Sequence, residues 1–264
     1  DLQTVRSFKI RGAYYKILKH FKNQSSIHIS TCSAGNHAQG VAKTCNELNI
    51  KHTIFVPTST PKQKINRIKF FGGKYLDLQI TGEDLQESMH ESITYSNLNN
   101  SIFVHPYNDY DVILGQSTVA QEIYSELTPN YIFSCVGGGG LISGVGSYSK
   151  FINPNCNIIG VEPTNANSLE LSLNNKKITS VKNVDTFVDG AAVKQVGDKC
   201  FNICNNVVDK VINVDNGKIC NDLIDIYQND GIILEPAGTL SISGLDYFSE
   251  EIKGKDVVCI LTGS

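Results

Sequence analysis

Residues 131–152 read YIFSCVGGGGLISGVGSYSKFI, and this stretch decides the fold. Tyr131–Val136 is a short apolar run of strand length. Gly137-Gly138-Gly139-Gly140 interrupts it, and Leu141–Phe151 continues with apolar residues at helical spacing. A strand that turns through glycines directly into a helix opens a parallel βαβ unit. The same residues lie in an uncharged segment, Leu127–Ser149, long enough for a membrane span. Four consecutive glycines and many serines favour strand, loop and helix instead.

The alternation extends in both directions. Ahead of it, Ser26–Thr31, His52–Pro57, Lys74–Leu78 and Ile102–His105 read as strands. Helices are expected from Asn36 to Leu48, from Pro61 to Gly72-Gly73, over Glu83–Asn97 and over Val112–Leu127. Behind it, strands are expected at Asn157–Val161, Val207–Val214 and Val257–Leu261, with helices at Ser168–Leu173, Gly217–Asn229 and Ala237–Glu250. Strand and helix in alternation specify an α/β protein with parallel sheets and covering helices. A length of 264 residues suits one large or two modest domains.

Composition narrows the function classes. The chain is 41% hydrophobic and 19% charged, which excludes disorder and fibres. The 23 Lys+Arg against 26 Asp+Glu give a net charge of −3, which argues against a nucleic-acid or anionic-membrane footprint. The 8 cysteines include no CxxC pair and suggest reduced, buried thiols in a cytoplasm or organelle matrix. Cys200 and Cys204 would share one helix face. The six His residues form no metal-ligand pattern, and no metal is expected. There is no secretory leader pattern. The chain starts at Asp1 rather than Met, so a fragment or processed end is expected there.

In parallel sheets ligands gather at the carboxyl ends of strands, and three places there carry chemistry. Gly137–Gly140 with Leu141 offers backbone N–H groups unobstructed by Cβ, followed by a helix N-terminus, which suits a phosphate. The loop has no Lys and neither Walker nor GxGxxG spacing, which disfavours nucleotides. Ser33-Ala34-Gly35-Asn36-His37 places small residues and amides at another helix start, suited to a carboxylate or a ring oxygen, although plain N-capping would use the same residues. Ser7-Phe8-Lys9-Ile10-Arg11-Gly12-Ala13 puts Lys9 in a first helical turn, against the dipole. A solvated surface lysine is the plain reading, and a buried one could form a Schiff base. Together these are the parts that pyridoxal phosphate enzymes acting on amino acids need.

Four segments occur in family order: Ser7–Tyr14, Ser33–Gly40, Gly137–Leu141 and Glu235-Pro236-Ala237-Gly238. With Asp189–Lys194 they resemble the threonine/serine dehydratase family of type II pyridoxal phosphate enzymes, nearest its biosynthetic threonine dehydratase branch. The resemblance implies a tryptophan synthase β-like fold of two open twisted sheets with covering helices. A large cofactor-binding domain would take 1–27 and 105–264, and a small mobile domain binding the substrate carboxylate would take 28–104. It implies pyridoxal 5′-phosphate on Lys9, with Lys9 also moving protons. Phe8, Asn36, Gly137, Gly138, Gly139, Gly140, Leu141, Glu235 and Thr262 would contact the cofactor, with the Thr262 hydroxyl against its pyridine nitrogen. Ser33, Ala34, Gly35, Asn36 and His37 would receive the substrate.

The implied reaction is β-elimination of L-threonine to 2-oxobutanoate and ammonia, with activity on L-serine, in isoleucine biosynthesis. A homo-oligomer, dimer or tetramer, is implied as well. Serine racemases carry Ser where this chain has Ala34, so little racemisation is expected. The resemblance also implies residues before Asp1 and, in biosynthetic members, an isoleucine-sensing domain after Ser264, so the chain is expected to be a fragment, a trimmed form or an unregulated form. Rival readings are a serine or catabolic threonine dehydratase, a serine racemase-like enzyme, a nicotinamide oxidoreductase using Glu162 on ribose, and an inactive amino-acid-binding relative.

Overall fold

The computed structural model describes residues 2–23 and 27–264. The chain divides into two compact units, residues 3–115 and residues 116–264 with Leu2.

In the first unit the elements are α1 (Lys9–Phe21), β1 (His28–Cys32), α2 (Asn36–Glu47), β2 (Lys51–Val56), α3 (Lys62–Gly72), β3 (Leu76–Ile80), α4 (Leu85–Asn99), β4 (Ile102–Phe103) and α5 (Tyr110–Gln116). The strands form one parallel sheet in the order β3-β2-β1-β4. Both faces are covered, yet only the Ile54–Val56 half of β2 reads as a continuous apolar run; β1 is HISTC, and β3, LDLQI, alternates. On one face Ile29 packs with Ala13 and Ile17 of α1, Val41 of α2 and Val112 of α5. On that same face Ile54, registered beside Thr31, and Val56 pack with Ala38, Ile68 and Phe71; α4 covers the opposite face, where Tyr95 meets Phe55 at 5.3 Å. Each such fully buried aliphatic side chain contributes about 1.5–3 kcal/mol.

The second unit repeats the scheme with α6 (Thr118–Glu126), β5 (Tyr131–Cys135), α7 (Gly140–Ile152), β6 (Asn157–Pro163), α8 (Ser168–Asn174), α9 (Asp198–Val207), β7 (Lys210–Val214), α10 (Asn216–Asp230), α11 (Pro236–Ser243) and β8 (Val257–Cys259). Its parallel sheet runs β7-β6-β5-β8, with Tyr131 beside Asn157 and Val161 beside Ile212. Phe133, Ile159, Val161, Leu240 and Phe248 form its core, and the Phe133 and Phe248 rings meet edge to face at 5.3 Å. Among the described residues no helix is long and apolar enough to cross a membrane. The uncharged segment is β5, glycine turn and α7.

Several element boundaries differ from those expected. The start of the first strand, at Ser26, lies outside the described residues; β1 itself begins at His28. The helix expected over 112–127 is two helices, parted at Ser117. Just before the break Gly115 lies so close to α1 that a Cβ there would be 2.6 Å from the Gly12 Cα. Val207 ends α9 instead of starting a strand, because it packs on α7: a Cβ on Gly146 would meet its Cγ2 at 2.7 Å. The helix expected to reach Glu250 stops at Ser243 and becomes a 3₁₀ turn, Leu245–Phe248. His105 is not in a strand, since β4 ends at Phe103.

The compact units are also drawn differently from the expected domains of 28–104 and 1–27 with 105–264. Here α1 and α5 share the first unit's core with β1 and α2.

Candidate active site

In the first unit Lys9 is the first residue of α1. Its backbone N–H donates to the Ser7 hydroxyl at 3.3 Å. Its amine donates to the Pro106 carbonyl at 3.0 Å and stands 5.2 Å from the centre of the Phe8 ring. The approach of α2 is set by Gly40, where a Cβ would lie 3.0 Å from the Ile10 Cα and 3.3 Å from the Lys9 carbonyl carbon. Lys9 is therefore a half-buried amine with the Pro106 carbonyl among its partners, not a lysine extended into water.

The second cluster of the unit follows β1. Ser33 donates its N–H to the Phe55 carbonyl, and its hydroxyl accepts the Gly35 N–H at 3.2 Å. Gly35 caps α2 without a side-chain hydrogen bond, and a Cβ there would meet nothing within 4 Å, so open space faces the helix start. Amides at a helix N-terminus beside such space suit a carboxylate.

His37 stands differently from its expected role. Its ring is buried and its Nε2 donates to the Val104 carbonyl at 3.0 Å. Burial and the charge of Lys9 lower its pKa to about 3, so the imidazole is neutral. What His37 can offer a carboxylate is its backbone N–H. Ala34, with no proton to exchange, packs against the core containing Val5 and Ala38.

In the second unit, Gly137–Gly140 links β5 to α7. Gly139 lies in the left-handed region at φ 91°, where glycine is favoured. A Cβ on Gly137 would lie 3.1 Å from the Ala191 Cα and 3.2 Å from the Gly190 carbonyl, so the Asp189–Ala191 loop crosses this turn. Gly138 accepts the Gly197 N–H at 3.2 Å. Gly138, Gly139, Gly140 and Leu141 are buried and Gly137 is half-buried.

Glu235 caps α11 ahead of Pro236, and its N–H donates to the Gly263 carbonyl at 3.1 Å. That carbonyl would be 2.6 Å from a Cβ on Gly238, which explains the glycine there. Next to Gly263, Thr262 is 2% exposed and its Oγ1 has no hydrogen-bond partner. A buried hydroxyl without a partner is uncommon and marks a place for one. Gly190 ties the parts together: a Cβ there would be 2.9 Å from Ala237 and 3.5 Å from the Glu235 Oε1.

The first unit thus brings Lys9, Phe8 and His37 together. The second groups the glycine turn with the 189–191 loop, Glu235 and Thr262. Sequence reasoning missed the Pro106 carbonyl; the signal was a His-Pro pair following a strand.

Glu162, the basis of the nicotinamide reading, is fully buried. Its two carboxyl oxygens accept the Leu169 and Glu170 N–H groups at 2.8 and 2.9 Å, so no ribose can reach it. Burial pushes its pKa up to about 8, against the two amides that favour the charged form. Six cysteines are buried, and burial drives the Cys32 and Cys204 thiols up to about 12, which removes them as nucleophiles. Among the described residues no cluster of three metal-ligating side chains occurs.

Taken unit by unit, the groups suit parts of a phosphorylated heteroaromatic aldehyde: the second unit has amides for a phosphate and an unmet hydroxyl, and the first has a positioned amine. Comparison with known proteins agrees. The chain is 44% identical over 265 residues to the biosynthetic L-threonine dehydratase IlvA of Halalkalibacterium halodurans, covering all of this chain and 64% of that protein. It is 41% identical to the Bacillus subtilis protein of the same name, covering 63% of it. The chain therefore spans a little under two thirds of the length of these curated relatives.

Among solved structures, the processed form of threonine deaminase isoform 2 from Solanum lycopersicum superposes with a TM-score of 0.93 at 38% identity, covering 100% of this chain and 77% of that one. Maize serine racemase gives 0.92 at 28% identity, covering 99% and 80%. Residues 1–263 match the family described as pyridoxal-phosphate dependent enzyme, and the chain belongs to that family.

Proposed function

We propose that this chain deaminates L-threonine to 2-oxobutanoate and ammonia by β-elimination, with L-serine as a second substrate, at the step that commits threonine carbon to isoleucine. The observation that carries the proposal is Lys9: a half-buried amine at the first position of a helix, held by a backbone carbonyl. The likeness to biosynthetic threonine dehydratases at 41–46% identity supports the substrate. Bound pyridoxal 5′-phosphate supplies an aldehyde that condenses with amines and a ring that delocalises the electron pair released at Cα.

The chain's own residues supply the rest. The amides of Gly137–Leu141 hold the phosphate, aided by the α7 dipole. Asn36 and Phe8 would contact the ring of the bound cofactor, as would Glu235, and the Thr262 hydroxyl would serve as partner for the pyridine nitrogen. A hydroxyl does not hold a proton there as a carboxylate would, which favours prompt elimination over a long-lived carbanion. The amides of Ser33, Ala34, Gly35, Asn36 and His37 orient the substrate carboxylate. The Lys9 Nζ takes the Cα proton, and the β-hydroxyl leaves as water. Hydrolysis of the resulting enamine returns that water and releases ammonia, so the atoms balance. Ala34 cannot deliver a proton from the opposite side, so racemisation is minor.

The exposed Tyr14, Phe21, Tyr110 and Leu114 on α1 and α5 support a homo-oligomer, which sedimentation tests. The buried cysteines support a reducing cytoplasm or organelle matrix. The decisive experiment is borohydride reduction of the cofactor-loaded chain, followed by peptide mapping. The tag is expected on Lys9, with 2-oxobutanoate from threonine exceeding pyruvate from serine. A tag elsewhere overturns the proposal.

A further inference from the structure

Charge in the first unit is sorted along the chain. Residues 48–76 hold Lys51, Lys62, Lys64, Arg67, Lys69 and Lys74 and no acid, whereas residues 75–115 hold seven acids and no Lys or Arg. The fold puts the two stretches on opposite faces of one sheet. Neighbouring side chains of β2 point to opposite sides: Ile54 packs with Ile68 of α3, and Phe55 meets Tyr95 of α4. One outer layer is therefore basic and the other acidic.

On α3, Lys62, Arg67 and Lys69 are exposed, and among the described residues none of them is paired with a carboxylate. Arg67 lies over the Phe70 and Phe71 rings at 5.9 and 4.8 Å, and Phe70 is itself 72% exposed. A bare aromatic ring rimmed by cations has the make-up of a contact centre. On α4, Asp84, Glu87 and Glu91 are exposed beside the exposed Leu85. The groups that meet these carboxylates are neutral. Asp84 accepts the Gln86 and Glu87 N–H groups, Glu87 accepts the Glu83 N–H at 2.8 Å, and Glu91 accepts the Thr81 hydroxyl. Such hydrogen bonds leave the net charge in place. The two stripes also match in length: Lys62 to Lys69 and Asp84 to Glu91 are each seven positions apart, about 10 Å along a helix.

We propose that α3 of one copy docks on α4 of a second copy of this chain, with Phe70 seated beside Leu85 and the α3 cations facing the α4 carboxylates. Charge complementarity selects this occupant. The second copy presents the same spacing with the opposite sign, and a net charge of −3 disfavours a nucleic acid. Every copy has both faces, so the contact runs head to tail and repeats into a ring or an open chain. It is separate from the apolar α1 and α5 side and does not depend on the reaction at Lys9.

The test is sedimentation velocity of the full cofactor-loaded chain across concentration, in about 50 and about 500 mM salt, between which the screening length shortens roughly threefold. Association should weaken roughly tenfold in the higher salt. Lys62→Glu with Lys69→Glu, and separately Glu87→Lys with Glu91→Lys, should each weaken it at least about tenfold in low salt. Mixed one to one, the two reversed chains should associate as the parent does, because each then meets the opposite charge. Lys177→Glu with Lys253→Glu reverses as much charge at exposed positions of the second unit and should match the parent.

Thermal melts check that the variants fold; if the α4 variant does not, the α3 variant, the control and the salt series decide. Association that is indifferent to salt, unchanged in the α3 variant or equally weakened in the control overturns the proposal, as do folded reversed chains that stay apart when mixed. Loss of heparin binding in the α3 variant at unchanged sedimentation overturns it too, and gives α3 to a polyanion instead.

Discussion

Gly139→Ala isolates what the glycine turn requires of its backbone. Gly139 sits at φ 91° and ψ −2°. A side chain in that left-handed region costs about 1–2 kcal/mol. The added Cβ would also lie 2.9 Å from the Cys200 Cβ and 3.1 Å from the Val196 Cγ2, on the packed face of α9. Overpacking of that kind costs about 1–3 kcal/mol more. The sum is about 2–5 kcal/mol.

Gly231→Ala is the control. Gly231 has φ 67°, but a Cβ there meets nothing within 4 Å, so only the backbone cost of about 1–2 kcal/mol applies. At about 2–4 °C per kcal/mol for a unit of this size, Gly139→Ala should melt about 4–20 °C below the parent and Gly231→Ala about 2–8 °C below it. Thermal melts followed by circular dichroism, with urea titration as a second measure, give the difference. If the two variants melt together, the turn is not braced against α9. The account of why four glycines occupy it would then be wrong.

Lys9→Ala should keep the parent's fold but lose the visible absorption of bound cofactor and all ammonia release from threonine; a spectrum and a coupled assay on one sample check both. Thr262→Val removes a buried hydroxyl that has no partner, so the cofactor-free chain should melt at the parent's temperature or be stabilised by about 1 kcal/mol. Its cofactor affinity should nevertheless fall about tenfold in a fluorescence titration, with Thr262→Ser near the parent. Glu162 has a folded-state pKa raised from 4.5 to about 8, so its contribution to stability is complete below 4.5 and is lost as pH rises towards 8. Glu162→Gln leaves one backbone N–H facing a donor and costs about 1–3 kcal/mol. Denaturation midpoints across that window should fall with rising pH in the parent relative to the variant; parallel curves would contradict the assignment.

Repetition made the fold legible. Apolar runs marked β5 and β6, and the alternation with helices placed β1 and β2, all four within a residue or two of where they begin. Reading failed where tertiary contact overrides local preference. Val207-Val208 has strand character, yet Val207 ends a helix because α7 lies against it. Only three-dimensional packing, likewise, tells that Ala13, Ile17 and Val112 share a core with Ile29. The glycine turn and Lys9 were legible because their chemistry needs rare residue patterns. The Pro106 carbonyl was not, because every residue has a carbonyl and sequence does not say where it points. His37 shows the converse. Its residue type suggested a ligand-facing ring, and burial against Val104 turned that ring into a strut.

The surroundings of the glycine turn explain why it holds no cation. Ser143, in the first turn of α7, touches the Cys204 sulfur at 3.3 Å, and Cys204 in turn feels Cys200 and Glu162. A charged carboxylate in that group would oppose any anion on the turn, and a lysine added to offset it would need burial of its own. Burial takes the other route and favours the neutral forms of Glu162 and the Cys204 thiol, which removes that carboxylate's charge from beneath α7. Backbone amides and the α7 dipole can then supply the positive potential a phosphate needs. On this argument the raised pKa of Glu162 and the four glycines are parts of one arrangement: the first removes a competing charge, and the second brings the amides within reach.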